Sequence, residues 1–243
     1  MYILYKDCKL RVFTKKAPFK KGYSIIDYVI DEKLEELRCE ILYNERLISK
    51  GIILDFYKEF ENIKDIQGNI ETQILTFKWQ GKSYTKNTLF GNKIQRLKYF
   101  NNPPIDKLER ENLINEIVSA FNNFIKTILY EVKVKTDFVI GYVPSSSNLP
   151  FEIAKKLSEE NNIELIHFIS KQTELKSKNL TYSDNKLLNI YEINFHHSYR
   201  DKTFLIVDDV VGTGATLCEI MYKINYFNRR INYFFAVVKD VKR

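Results

Sequence analysis

The segment Thr203-Phe-Leu-Ile-Val-Asp-Asp-Val-Val-Gly-Thr-Gly-Ala-Thr216 constrains this chain more than any other stretch. An apolar run delivers two adjacent acids, a Gly/Thr loop follows, and the loop opens into a helical pattern. Such a run fits a strand buried on both faces, as in parallel sheets, whose ligands sit beyond the carboxyl ends of the strands. The backbone N–H groups of Gly212, Thr213, Gly214, Ala215 and Thr216 are then expected at a helix N-terminus, where unpaired donors and the helix dipole favour an anion. Gly214 permits a tight turn, and the hydroxyls of Thr213 and Thr216 add donors. Asp208 and Asp209 are placed to accept hydrogen bonds from the vicinal hydroxyls of a sugar, and to hold a hydrated magnesium ion.

The surrounding rhythm agrees with a parallel sheet. Phe138–Val143 reads as a short strand that ends in Pro144-Ser-Ser-Ser, with Asn148 as cap, Pro150 in the first turn and Phe151–Glu160 as the body of the next helix. Ile163–Ile169, Thr203–Val207 and Ile231–Val238 read as further strands, and Ala215–Tyr226 as a helix. Ahead of them, apolar residues at three- and four-residue spacings predict a helix over Ile105–Tyr130. Strands alternating with helices point to an α/β fold whose parallel sheet is flanked by helices. The polar stretch Ser170–Arg200 is long for a loop in a compact domain and is expected to act as a lid, with Lys171 at its root.

The first ninety residues have a different texture. Met1–Phe13 and Tyr23–Ile30 are rich in β-branched and aromatic residues, and Glu71–Trp79 and Ser83–Phe90 flank Gln80-Gly81, a two-residue hairpin turn. Glu32–Tyr43 and Ile52–Phe60 fit helix or strand. The expected division is a smaller β-rich domain over 1–92 and a second domain over 93–243, with a flexible loop near 170–200.

Composition narrows the setting. Three cysteines, Cys8, Cys39 and Cys218, form no CxxC pair, so neither a zinc ribbon nor a disulfide framework is indicated. No apolar stretch reaches membrane-spanning length, so a soluble, cytoplasmic protein without membrane contact is expected. The net charge of +7 suits a polyanionic partner, though a solvated lysine-rich surface explains it as well. Lys93, Arg96 and Lys98, with Arg229, Arg230, Lys239, Lys242 and Arg243, could build a basic face. Tyr99 and Phe100 beside the first cluster would suit single-stranded nucleic acid, although a solvated face explains these residues better. His196-His197 reads as surface loop, and His167 as a histidine satisfied in the core or at a strand end.

The acid pair, short apolar spacer and Thr-Gly-x-Thr at 208–216 resemble the phosphoribosyl pyrophosphate-binding motif of type I phosphoribosyltransferases. That resemblance implies a type I fold and a magnesium-dependent transfer of a phosphoribosyl group. It places Asp208 and Asp209 at the ribose hydroxyls and, through water, at the metal; Gly212–Thr216 at the 5-phosphate; and Ser145, Ser146 and Ser147 at the pyrophosphate. An acid at position 212 serves as general base in the enzymes for 6-oxopurines; Gly212 cannot, which disfavours those acceptors. Over about residues 95–243 the chain also resembles the ComF-type competence proteins. Ile94-Gln-Arg-Leu-Lys-Tyr99, Lys171-Gln-Thr-Glu174, Asn189-Ile-Tyr-Glu-Ile-Asn-Phe195 and the acid motif carry this likeness. It implies involvement in DNA uptake or processing as the alternative role, while the family as a whole implies homodimers.

Overall fold

The computed structural model describes residues 7–19, 26–99, 103–132, 138–172 and 190–241. The first half contributes eight strands: β1 (Cys8–Thr14), β2 (Ile26–Ile30), β3 (Leu37–Tyr43), β4 (Arg46–Phe56), β5 (Phe60–Lys64), β6 (Ile70–Ile74), β7 (Thr76–Trp79) and β8 (Lys82–Thr85). Helices α1 (Leu89–Lys98) and α2 (Lys107–Val132) follow, then β9 (Phe138–Tyr142), α3 (Leu149–Asn161), β10 (Glu164–Leu165), β11 (Ile169–Lys171) and β12 (Tyr191–Ile193). The chain continues through β13 (Thr203–Val211), α4 (Ala215–Asn228) and β14 (Asn232–Lys239).

One sheet of eight strands, in the order β10-β9-β13-β14-β4-β3-β1-β2, organises the molecule. The strands from β10 to β4 are parallel; β3 then runs antiparallel to both β4 and β1. Strands β1–β4 of the first half therefore extend the same sheet, β4 pairing with β14 from Ser49↔Asn232 to Phe56↔Lys239, while β5–β6 and β7–β8 form two separate hairpins. Every residue of β14 is buried, because both of its faces are covered. Alternation along the central strands sorts the two faces. Phe204, Ile206, Phe234 and Ala236 pack with Leu217, Cys218, Ile220, Met221 and Ile224 of α4. Leu205, Val207, Phe235 and Val237 pack with Ile94, Ile117, Phe121, Leu149 and Ile153 of α1, α2 and α3.

The expected helices over 105–130, 151–160 and 215–226 form with bounds shifted by a few residues, and Glu32–Tyr43 and Ile52–Phe60 turn out to carry strand. The hairpin at Gln80-Gly81 forms, both residues having positive φ, 47° and 75°, as a tight β-hairpin turn requires. Three readings are corrected. Glu71–Trp79 is not one strand; it breaks at Leu75, whose N–H and C=O bond Glu59 and Lys86, so that β6 pairs with β5 and β7 with β8. Ile163–Ile169 likewise divides into β10 at the main sheet and β11 in a separate pair with β12. Leu89 and Phe90 open α1 rather than ending a strand: the Thr88 hydroxyl accepts from the Gly91 N–H at 3.1 Å and itself donates to the Phe56 carbonyl, capping the helix against β4.

The three cysteines are free and buried, and no helix among the described residues is long and apolar enough to cross a membrane.

Candidate functional site

Strand β13 runs two residues past the acids, to Val211, so Asp208 and Asp209 lie within it rather than after it. Successive strand residues face opposite ways. Leu205 and Val207 face α1 and α3, Phe204 and Ile206 face α4, and Asp209 meets Lys98 of α1. Both are almost wholly buried. The Asp208 carboxyl is pushed up to about 7, first by burial and then by the neighbouring Asp209 charge; the Asp209 N–H, donating to its Oδ1 at 2.8 Å, opposes this.

Asp209 Oδ2 is the hub of the site. It accepts from Lys98 Nζ at 2.7 Å, from Ser147 Oγ at 3.2 Å and from Ser145 Oγ at 3.4 Å. The two serine hydroxyls also meet each other at 3.0 Å. The Pro144–Ser147 turn is thus brought onto the acid pair, as the parallel pairing of β9 with β13 and the Val143 N–H bond to the Val207 carbonyl at 2.9 Å require. Ser146 is exposed at the tip. Asn148 stands at the N-cap of α3 in the left-handed region (φ 56°), but its side chain makes no capping bond.

The second loop follows directly. Gly214, at φ 85°, is the N-cap of α4 and provides no side-chain cap, so the first-turn amides keep their donors for another acceptor. Only the Ala215 N–H has a local partner in Thr213 Oγ1, at 3.4 Å. The Thr216 side chain pairs with the Tyr191 hydroxyl, which burial pushes up to about 12. Tyr191 belongs to β12 and stands opposite Lys171 of β11. The exposed Lys171 therefore roots at the rim of the phosphate-type loop, and the Gln172 N–H bond to the Ile190 carbonyl at 2.8 Å closes the pair. Residues 173–189 of the expected lid, with Lys176 and Lys178, lie outside the described residues.

Lys98 is the site residue that sequence reasoning assigned elsewhere. The expected basic face of Lys93, Arg96 and Lys98 is spent on internal ion pairs: Lys93 with Glu116, Arg96 with Glu109 at 2.6 Å, and Lys98 with Asp209. Burial works against the Lys98 ammonium, but the Asp209 carboxylate outweighs it and holds the group above the usual lysine range. Its helix is well anchored. A Cβ on Gly91 would overlap the Tyr57 carbonyl oxygen, and Arg110 bonds both Leu97 O, at 3.3 Å, and the Glu152 carboxylate, at 2.7 and 2.8 Å. The His196 ring bonds Ser198 beside it in a short 3-10 turn, and the exposed His167 Nδ1 meets the Tyr142 hydroxyl at 2.8 Å, so neither histidine joins the acids.

Two buried acids near the end of β13, a glycine-capped helix start and a serine turn thus meet at one end of the sheet. Residues 112–228 match the phosphoribosyl transferase domain. The match spans a little under half of the chain and takes in both loops and both acids; α1 with Lys98 lies outside it. No curated protein matches the sequence. Among solved structures, an adenine phosphoribosyltransferase is similar at 16% identity, with 74% of this chain and 84% of that one covered and a TM-score of 0.38. The adenine phosphoribosyltransferase of Saccharomyces cerevisiae is similar at 15% identity, with 74% and 83% covered and a TM-score of 0.37. The purine phosphoribosyltransferase of Pyrococcus horikoshii is similar at 19%, with 52% and 82% covered and a TM-score of 0.33. The fold is a mixed α/β one with a large, parallel-rich sheet flanked by helices, as in type I phosphoribosyltransferases.

Proposed function

We propose that this protein binds phosphoribosyl pyrophosphate and transfers its phosphoribosyl group to an acceptor. The observation that carries this reading is the single cluster formed by Asp209, Ser145 and Ser147 one strand-end away from the Gly214-capped start of α4. The amides of Gly212–Thr216 would take the 5-phosphate, Asp208 and Asp209 the ribose hydroxyls, and Ser145–Ser147 the pyrophosphate. The acceptor's lone pair forms the new bond to the anomeric carbon as the bond to pyrophosphate oxygen breaks, and pyrophosphate leaves with that electron pair. Positive charge develops at the ring in between. Buried carboxylates held in place stabilise it without acid–base chemistry of their own.

Magnesium, when bound, neutralises pyrophosphate charge. The donor set fits a hydrated ion: Asp209 is already paired with the Lys98 ammonium and Asp208 stands next to it on β13, so the two acids would hold the ion through its water shell. No group of three His, Cys, Asp or Glu side chains among the described residues offers a stripped ion a site. Calorimetric titration of phosphoribosyl pyrophosphate, with and without magnesium, tests the reading on wild type and on Asp208→Asn/Asp209→Asn. Magnesium-dependent binding that the variant loses is expected. No binding to folded wild type would overturn it.

One observation favours the second reading, association with nucleic acid as the ComF likeness implies. The β7–β8 hairpin stands exposed, with Phe77, Tyr84, Trp79 and Lys82 on one face and Phe77 and Tyr84 stacked at 5.7 Å. Aromatics interleaved with lysine suit unpaired bases. Trp79 is the only tryptophan, so salt-dependent quenching of its fluorescence by single-stranded DNA would support this reading, and unchanged fluorescence would remove it.

A further inference from the structure

The Lys98 ammonium stands where a cation bound to the acid pair would stand. It lies 2.7 Å from Asp209 Oδ2, the same oxygen that receives Ser145 and Ser147, and the two side chains of the pair are only 11% and 5% exposed. It reaches that place from the last residue of α1, a helix fixed by its Thr88 cap, by the Arg96–Glu109 pair and by Arg110. A long, flexible stem on a fixed root lets the charged head exchange one anionic partner for another without moving the helix.

We infer that Lys98 is an internal counter-ion: in the ligand-free protein it holds the cation position at Asp209 and keeps a divalent ion off the acid pair. An arriving pyrophosphate group then draws the ammonium across to its own oxygens. Two positive charges cannot share one buried carboxylate oxygen cheaply, so lysine and metal compete there. The metal accordingly enters with the anionic ligand and not before it. This rests on the phosphoribosyl pyrophosphate reading for the ligand, but the competition itself concerns the empty protein.

The test uses the full chain without ligand and reads Mn2+ binding by electron paramagnetic resonance. Wild type should bind Mn2+ weakly. Lys98→Met should bind it about tenfold more tightly, within the range typical of coupled sites. Lys98→Arg, which keeps the charge, should stay with wild type, and Lys98→Met/Asp209→Asn should lose the gain. Lys98→Gln serves in the same role should Lys98→Met melt too early. Neutral variants no tighter than wild type would overturn the inference. A separate titration with phosphoribosyl pyrophosphate keeps the two ideas apart: tighter Mn2+ binding in the variants alongside no ligand binding in wild type would sink the ligand reading and leave the competition standing.

Discussion

Removing the carboxylate of Glu219 should loosen the β11–β12 pair and the first turn of α4 together. Glu219 projects from α4 with a side chain 1% exposed and accepts from the Tyr191 N–H at 2.9 Å and from Lys223 Nζ at 2.8 Å. Lys223 also donates to the Tyr191 carbonyl, so both backbone polar groups of Tyr191 are held by α4. The Tyr191 hydroxyl in turn meets Thr216. Glu219→Ala strips a buried amide and a half-buried ammonium of their acceptor at once, a change that costs about 3–5 kcal/mol. For a chain of this length each kcal/mol moves the melting temperature by about 2–4 °C, giving a fall of roughly 6–20 °C by circular dichroism. Glu219→Gln keeps one acceptor oxygen and should lose only about 1–3 kcal/mol. The double variant Glu219→Met/Lys223→Met exchanges the pair for apolar bulk and should melt nearer wild type than Glu219→Ala. Affinity for phosphoribosyl pyrophosphate should drop in Glu219→Ala, because Tyr191 no longer steadies Thr216. A Glu219→Ala melt within about 2 °C of wild type would refute the reasoning, since a clamp that matters cannot be removed so cheaply.

Other consequences can be measured more simply. Burial raises the Glu219 carboxyl above its ordinary value of 4.5, outweighing Lys223 and the backbone donors. The folded protein therefore holds that proton more tightly than the unfolded chain. The stabilisation is complete below pH 4.5 and is lost as pH rises through the raised value, and Glu219→Gln should remove this slope from unfolding curves taken across pH. Gly91→Ala must push α1 off the Tyr57 carbonyl, at a cost of about 1–3 kcal/mol in denaturant unfolding, and should displace Lys98 from Asp209. Gly214→Ala forces a side chain into the left-handed region, so about 1–2 kcal/mol of stability should go and phosphate-ligand affinity should weaken by calorimetry. A fragment of residues 93–243 leaves the β14 edge without β4 and should aggregate in size-exclusion runs; a soluble, compact fragment would instead support a domain boundary at 92/93.

What could be read from the residues was whatever is decided locally. The apolar run before Asp208, the glycines after it and the 3.6-residue pattern of α2 need no distant partner to be recognised. Gln80-Gly81 announces its turn for the same reason. What escaped was decided across the fold. Leu89–Lys98 is only 10 residues long, and its start is fixed by Thr88 reaching the Phe56 carbonyl, 32 residues away in sequence. Lys98 looks like one of three surface cations until its carboxylate, 111 residues downstream, is placed beside it. Lys93 and Arg96 find theirs 23 and 13 residues on, in the next helix. Charge runs show composition, whereas ion pairs depend on topology.

The place of β14 bears on the order in which the molecule can be built. This strand is made after every other one in the sheet, yet it sits between β13 and β4 and joins the two halves edge to edge. Until it is synthesised, β4 and β13 each wait with an open, apolar flank, and neither face of the central sheet can close. The acid pair on β13 therefore acquires its buried setting only at the last step of assembly. A growing chain carries both acids before it carries the strand that buries them.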